Sequence, residues 1–113
     1  MTRGEIWRAE FGIPYGGEPG FTRPVLIVQD DDFNESRIKT IVVLPLTTNL
    51  RLADAPGNVL VSKKDSNLPD DSVVIAPQLY AIDRSRFKEK LSKIPRSIME
   101  QVETGMKLVL GMR

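Results

Sequence analysis

With 113 residues, 41% of them hydrophobic and 27% charged, the chain has the size and balance of one globular domain that can bury its own core. Its 16 Lys and Arg against 15 Asp and Glu leave a formal charge of +1, too little for bulk attraction to a polyanion. It has no histidine and no cysteine, which excludes disulfides, Cys/His metal sites and catalysis by imidazole or thiolate.

In chain order, "GEIWRAEFG" alternates, with Trp7, Ala9 and Phe11 on one side and Ile6, Arg8 and Glu10 on the other, as in a strand. "GIPYGGEPG" holds four glycines and two prolines in nine residues and reads as a hairpin loop. "RPVLIVQ" is a β-prone apolar run expected to be buried on both faces. "DDDFNES" is a turn or helix start, and "KTIVVLPLTTN" is a second buried strand, expected to be interrupted at Pro45. A turn at Pro56-Gly57 precedes a strand from Asn58, and a turn over 68–71 precedes a long strand centred on Val73, Val74 and Ile75. "RSRFKEKLSKI" reads as a helical turn and then an edge strand guarded by lysines. After Pro95, the spacing of Ile98, Val102, Met106 and Val109, widened by Met99, predicts an amphipathic helix. Glu100, Glu103 and Lys107 agree with its dipole.

The pattern predicts a mainly β, α+β fold: one domain over 1–113, a small antiparallel barrel closed by a C-terminal helix. No apolar run approaches the ~20 residues of a membrane span. The N-terminus lacks the apolar segment of a signal peptide, which makes the cytoplasm the expected compartment. Asp30, Asp31 and Asp32 form the one acidic cluster. Consecutive side chains diverge, so they suit a turn better than a metal, and no cofactor is expected. Six basic residues between Arg84 and Arg96 suit a solvated face or a backbone-phosphate footprint. Arg23, at the mouth of the first buried strand, is by pattern either a solvated strand-end residue or the centre of a site.

The strings "RGEIW", a Gly-rich loop, "TRPVLIV", "VVLPLTTN", "DSVVIAPQ" with "AIDRSRF", and a terminal helix ending "LVLG" occur in the order and spacing of one family. From Arg3 to Gly111 the chain resembles the MazF/PemK (Kid) toxin endoribonucleases. The resemblance implies an SH3-like barrel, close to that of the CcdB gyrase poisons, working as a homodimer. It implies metal-independent, sequence-selective cleavage of single-stranded RNA to a 2′,3′-cyclic phosphate and a 5′-hydroxyl. It also implies a cognate antitoxin as partner, with DNA reached only through a toxin-antitoxin complex.

In such cleavage the ribose 2′-hydroxyl attacks the adjacent phosphorus, so the protein must stabilise charge on the phosphate oxygens. Arginine does this with a permanently charged, two-pronged guanidinium. The family's arginine falls on Arg23, expected to bind the scissile phosphate and to take part in proton transfer. Its threonine falls on Thr47, with Thr48 the neighbour one pleat away. Glu18 matches an acidic loop position. Tyr15, Phe21 and Gln78 are candidate base contacts, and Ser72 and Asn49 candidate RNA contacts or turn residues. Many members carry an acidic residue just before the glutamine that matches Gln78 and an arginine two positions after it. Here Pro77 and Tyr80 stand there, and Tyr80 offers stacking instead. Two alternatives remain: a CcdB-like, non-enzymatic poison of a protein target such as gyrase, and an SH3-like binding module without catalysis.

Overall fold

A computed structural model describes residues 1–13, 15–17 and 21–113. Strands β1 (Glu5–Glu10) and β2 (Thr22–Ile27) are followed by the short helix α1 (Asp31–Asn34) and by β3 (Thr40–Thr47). Then come β4 (Val59–Val61), α2 (Lys63–Ser66), β5 (Ser72–Val74), β6 (Tyr80–Asp83), β7 (Phe87–Lys93) and the long helix α3 (Arg96–Leu110). The strands form a seven-stranded sheet in the order β4-β5-β3-β2-β1-β7, with β6 paired to β3 beside β5. Every pairing described is antiparallel.

Alternation along the strands sorts the apolar residues into two cores. Leu26, Val28, Leu44 and Leu46 point toward α3 and pack with Ile98, Met99 and Val102. Val25, Ile27, Ile41 and Val43 point the other way and pack with Ala9, Ile82 and Phe87. The second core needs the sheet to curl. β6 hangs on β3 and β7 on β1, yet only Arg84–Arg86 joins them, so their ends meet. Two register shifts in the β1–β7 pairing add local twist that curls the sheet further.

Three features depart from the expected pattern. Pro45 does not interrupt β3, which runs unbroken from Thr40 to Thr47. It lies where β3 changes neighbour, after the Val43–Tyr80 pair and before the Leu46–Val74 pair; its carbonyl takes the Ile75 N–H at 3.0 Å just past the end of β5, where the reciprocal bond is dispensable. The expected long strand around Val73 is two short ones, because Ala76–Gln78 with Pro77 forms a 3₁₀ turn between β5 and β6. The buried stripe of α3 ends at Gly105 rather than running through Val109, which is 37% exposed. Pro95 caps the start of α3, and Gly111, at φ 68°, ends it in the left-handed conformation.

Candidate active site

Arg23 pairs with Ala9 on β1. On its other side the β2–β3 register runs Ile27–Val43, Leu26–Leu44, Val25–Pro45, and continuing it by two residues sets Arg23 opposite Thr47. Both side chains fall on the pleat of Val25 and Ile27, above the second core. Across β3, Thr47 pairs with Val73, and one further step sets Thr48 beside Ser72. These positions meet in a pocket of about 200 Å³ lined by Thr22, Arg23, Thr47, Thr48 and Ser72, backed by Pro24 and Leu46.

Among the described residues the lining holds one guanidinium, four hydroxyls and no carboxylate, and no described ion pair involves Arg23. Pro24 confines the Arg23 backbone to extended geometry, so the half-buried side chain leaves the sheet in a fixed direction. Thr47 Oγ1 accepts the Asn49 backbone N–H at 3.2 Å. Its acceptor side is thereby engaged, and its own O–H is left to donate to a ligand oxygen. Such a pocket suits an anion with several acceptor oxygens, as a phosphodiester has.

The remaining candidates are placed unequally. Ser72 is buried and donates weakly to the Asp70 carbonyl at 3.4 Å, at the pocket's edge. Asn49 caps the 3₁₀ turn Leu50–Asp54 by accepting from Arg51 N–H, so its side chain is already employed. Gln78 lies outside the lining; its Nε2 donates to the Gly17 carbonyl at 3.3 Å, tying the Gly-rich loop to the barrel, and its buried Oε1 has no partner among the described residues. Tyr15 and Phe21 are exposed on the loop, Phe21 in the left-handed region at φ 57°. Tyr80 is half-exposed and meets Phe11 at 5.9 Å between ring centroids. Glu18 lies outside the described residues. Sequence reasoning missed Thr22, Pro24 and Leu46. The strand register signals Pro24 opposite Leu46, whereas nothing local marks Thr22.

Half of the basic run is paired with carboxylates, and two of its arginines are tied to backbone carbonyls. Lys90 pairs with Glu5, Lys88 with Glu10, and Arg96 with Glu100. Arg84 donates to the carbonyls of Ile38 and Asn34, and Arg86 to that of Glu10. Burial pushes the Glu5 carboxyl up, but the Trp7 indole, Thr2 and Lys90 outweigh it and hold the pKa at about 2. Trp7 thus joins the Glu5 bond to an edge-on contact with Phe87. The aspartate cluster diverges as expected: Asp30 caps α1, while Asp31 takes the Arg3 N–H and the Asn34 amide. Among the described residues no three potential metal ligands gather.

Residues 2–110 match the family described as PemK-like, MazF-like toxin of type II toxin-antitoxin system. An endoribonuclease of Mycobacterium tuberculosis named MazF6 is 35% identical over 112 residues, covering 99% of this chain and 98% of that one. The endoribonuclease MazF of Staphylococcus epidermidis is 34% identical, covering 99% and 92%. The crystal structure of MazF from Deinococcus radiodurans superposes with a TM-score of 0.83 at 25% identity, covering 99% and 97%. An endoribonuclease from a mycobacterial species, in complex with its cognate antitoxin, shares the fold with a TM-score of 0.81 at 24% identity, covering 100% and 97%. The chain belongs to the PemK-like, MazF-like toxins.

Proposed function

We propose that the chain is the toxin of a type II toxin-antitoxin pair, an endoribonuclease that cuts single-stranded mRNA and thereby stops translation and growth. The observation that carries the reading is Arg23 opposite Thr47 in a pocket whose described lining is a guanidinium and four hydroxyls. The curated relatives named above are endoribonucleases, which favours RNA cleavage over the gyrase-binding and inactive-module alternatives.

The nucleophile is the substrate's own 2′-hydroxyl. Its oxygen bonds to phosphorus as its proton leaves, the bond to the 5′-oxygen breaks, and that oxygen gains a proton. The products are a 2′,3′-cyclic phosphate and a 5′-hydroxyl. Arg23 holds the scissile phosphate at two oxygens and offsets the charge that grows there, and it stands where it can share in the proton transfer. Thr47 donates its hydroxyl to a phosphate oxygen, and Thr48 and Ser72 complete the donor ring. Tyr80, Phe21 and Tyr15 offer stacking surfaces for bases, Gln78 holds the loop that carries Tyr15, Asn49 borders the strand's path, and Glu18 is proposed as an RNA contact on the family resemblance alone.

The partners proposed are single-stranded RNA, a second copy of the chain and a cognate antitoxin, with DNA reached only through the toxin-antitoxin complex. The related mycobacterial endoribonuclease is seen in complex with its cognate antitoxin. Exposed Leu60, Leu108, Leu110 and Met112 supply apolar surface for a homodimer. Among the described residues no helix is long and apolar enough to cross a membrane. With mRNA as substrate, the cytoplasm is the proposed place of action. The test is cleavage of a labelled single-stranded RNA panel in EDTA, with analysis of the product ends. Cyclic phosphate and 5′-hydroxyl ends are expected. Failure to cut, dependence on added metal, or 5′-phosphate ends would overturn the reading.

A further inference from the structure

Beside the reaction pocket opens a second cavity, of about 440 Å³, and Thr48 lines both. Its other walls are Leu50, Lys63, Asp70 and Asp71. Asp71 directly precedes Ser72 of the first pocket, so the two hollows are neighbours along the open ends of β3 and β5. An RNA strand whose phosphate rests at Arg23 can lay an adjoining nucleotide over this hollow.

The chemistry changes between the two. The first pocket offers a cation and hydroxyls; the second sets two carboxylates against one lysine. Carboxylates repel phosphate, so the second hollow suits a base edge rather than the backbone. Ionised aspartates only accept hydrogen bonds, and the ligand edge must therefore donate. One Asp71 oxygen takes the Lys63 backbone N–H at 2.7 Å, which anchors this wall to the start of α2. The Asp70 carboxylate has no hydrogen-bond partner among the described residues. Leu50, 47% exposed, presents an apolar surface to a base plane.

Among the RNA bases, guanine alone presents two adjacent donors, N1–H and N2–H, that match both oxygens of one carboxylate. Adenine and cytosine offer one amino group, and uracil one N–H between two carbonyls. We infer that this cavity is a base-selecting subsite for a guanine next to the scissile phosphate, with Asp70 its bidentate acceptor, Asp71 the supporting one, Leu50 beneath the ring and Lys63 toward a neighbouring phosphate. The inference rests on the ribonuclease reading above and adds its substrate preference.

The test uses short RNA oligonucleotides in EDTA, each flanking position of the cut carrying guanine, inosine, adenine, cytosine or uracil in turn. Inosine keeps N1–H and lacks the 2-amino group. At one flanking position the wild-type chain is expected to show kcat/KM at least about 10-fold higher for guanine than for inosine. In Asp70→Asn, where one acceptor becomes a donor, that ratio falls toward one; in Asp71→Asn, which keeps an acceptor for Lys63 N–H, it falls in part. The ratio is internal, so a loss of folded protein lowers all substrates alike and leaves it unchanged. A wild type that cuts RNA without guanine preference, or an Asp70→Asn variant that keeps the wild-type ratio, overturns the subsite while leaving the ribonuclease reading intact. A wild type that cuts none of the panel overturns both.

Discussion

Substituting Gly105 by alanine sets two well-understood effects against each other. In an exposed helix the change gains roughly 1 kcal/mol, because glycine is the poorer helix former. Gly105, however, lies buried where α3 crosses the turn before β4. A Cβ added there would overlap the Gly57 carbonyl oxygen and stand 3.0 Å from its carbonyl carbon. Both are backbone atoms, so no side-chain rotation relieves the contact and the helix must retreat. Gly57 is itself needed as glycine, since it holds φ +88° and a Cβ there would stand 2.8 Å from Val109 and 3.2 Å from the Gly105 oxygen, so the turn and α3 pack backbone to backbone. Overpacking of this kind costs up to about 3 kcal/mol, which leaves a net loss of about 2 kcal/mol after the helix gain. For a chain of this length that lowers the unfolding midpoint by roughly 10 °C. The assay is thermal unfolding at one fixed protein concentration, since a dimer's midpoint depends on it. Cleavage at 20 °C by the folded variant is expected to stay within about 2-fold of wild type, because α3 covers the face of the sheet opposite Arg23. A Gly105→Ala chain that melts higher than wild type would refute the packing argument.

Thr47→Val keeps the shape of the side chain and removes its donor, so kcat is expected to fall roughly 100-fold with little change in KM, while Thr47→Ser stays within about 10-fold of wild type. A valine variant as fast as wild type would move the donor role elsewhere. Glu5 supplies a pH test. Its folded pKa of about 2 lies below the ordinary 4.5, so its contribution to stability is complete above pH 4.5 and is lost as pH falls toward 2. Glu5→Gln is therefore expected to lose less of its urea midpoint than wild type between pH 5 and 2.5, and equal losses would contradict that assignment.

Much of this molecule is legible in its sequence, and what is not has identifiable causes. The apolar run 25–28 announces a strand buried on both faces because each pleat faces a separate core. The spacing of Ile98, Met99 and Val102 announces α3 because one helix face covers the first core. Pro45 misleads because local rules see a missing N–H but not the change of neighbour that makes it harmless. The break at Pro77 is readable in hindsight, yet Val73 to Ile82 is apolar enough to suggest one strand. Arg23 and Thr47 are nominated by family strings, but their adjacency is a matter of register, which depends on strands distant in sequence. The basic run is the converse. Glu5 and Glu10, the partners of Lys90 and Lys88, lie about 80 residues earlier in the chain, so those pairs have no local signature, unlike the i,i+4 pair Arg96–Glu100. The second cavity is silent in the sequence, because Leu50 of the β3–β4 connection meets Lys63 and Asp70 of the β4–β5 connection only in the fold.

The central claim is that Arg23 stabilises the reacting phosphate, and single-turnover cleavage of one RNA oligonucleotide in EDTA tests it most directly. Removing a two-pronged cation from a phosphoryl site costs roughly 1,000-fold or more, and a lysine restores charge without the second contact. The expected order is wild type, then Arg23→Lys, then Arg23→Ala, with the alanine variant slower by at least about 1,000-fold and its unfolding midpoint close to wild type. An Arg23→Ala chain that cuts the same bond at the wild-type rate would contradict the account.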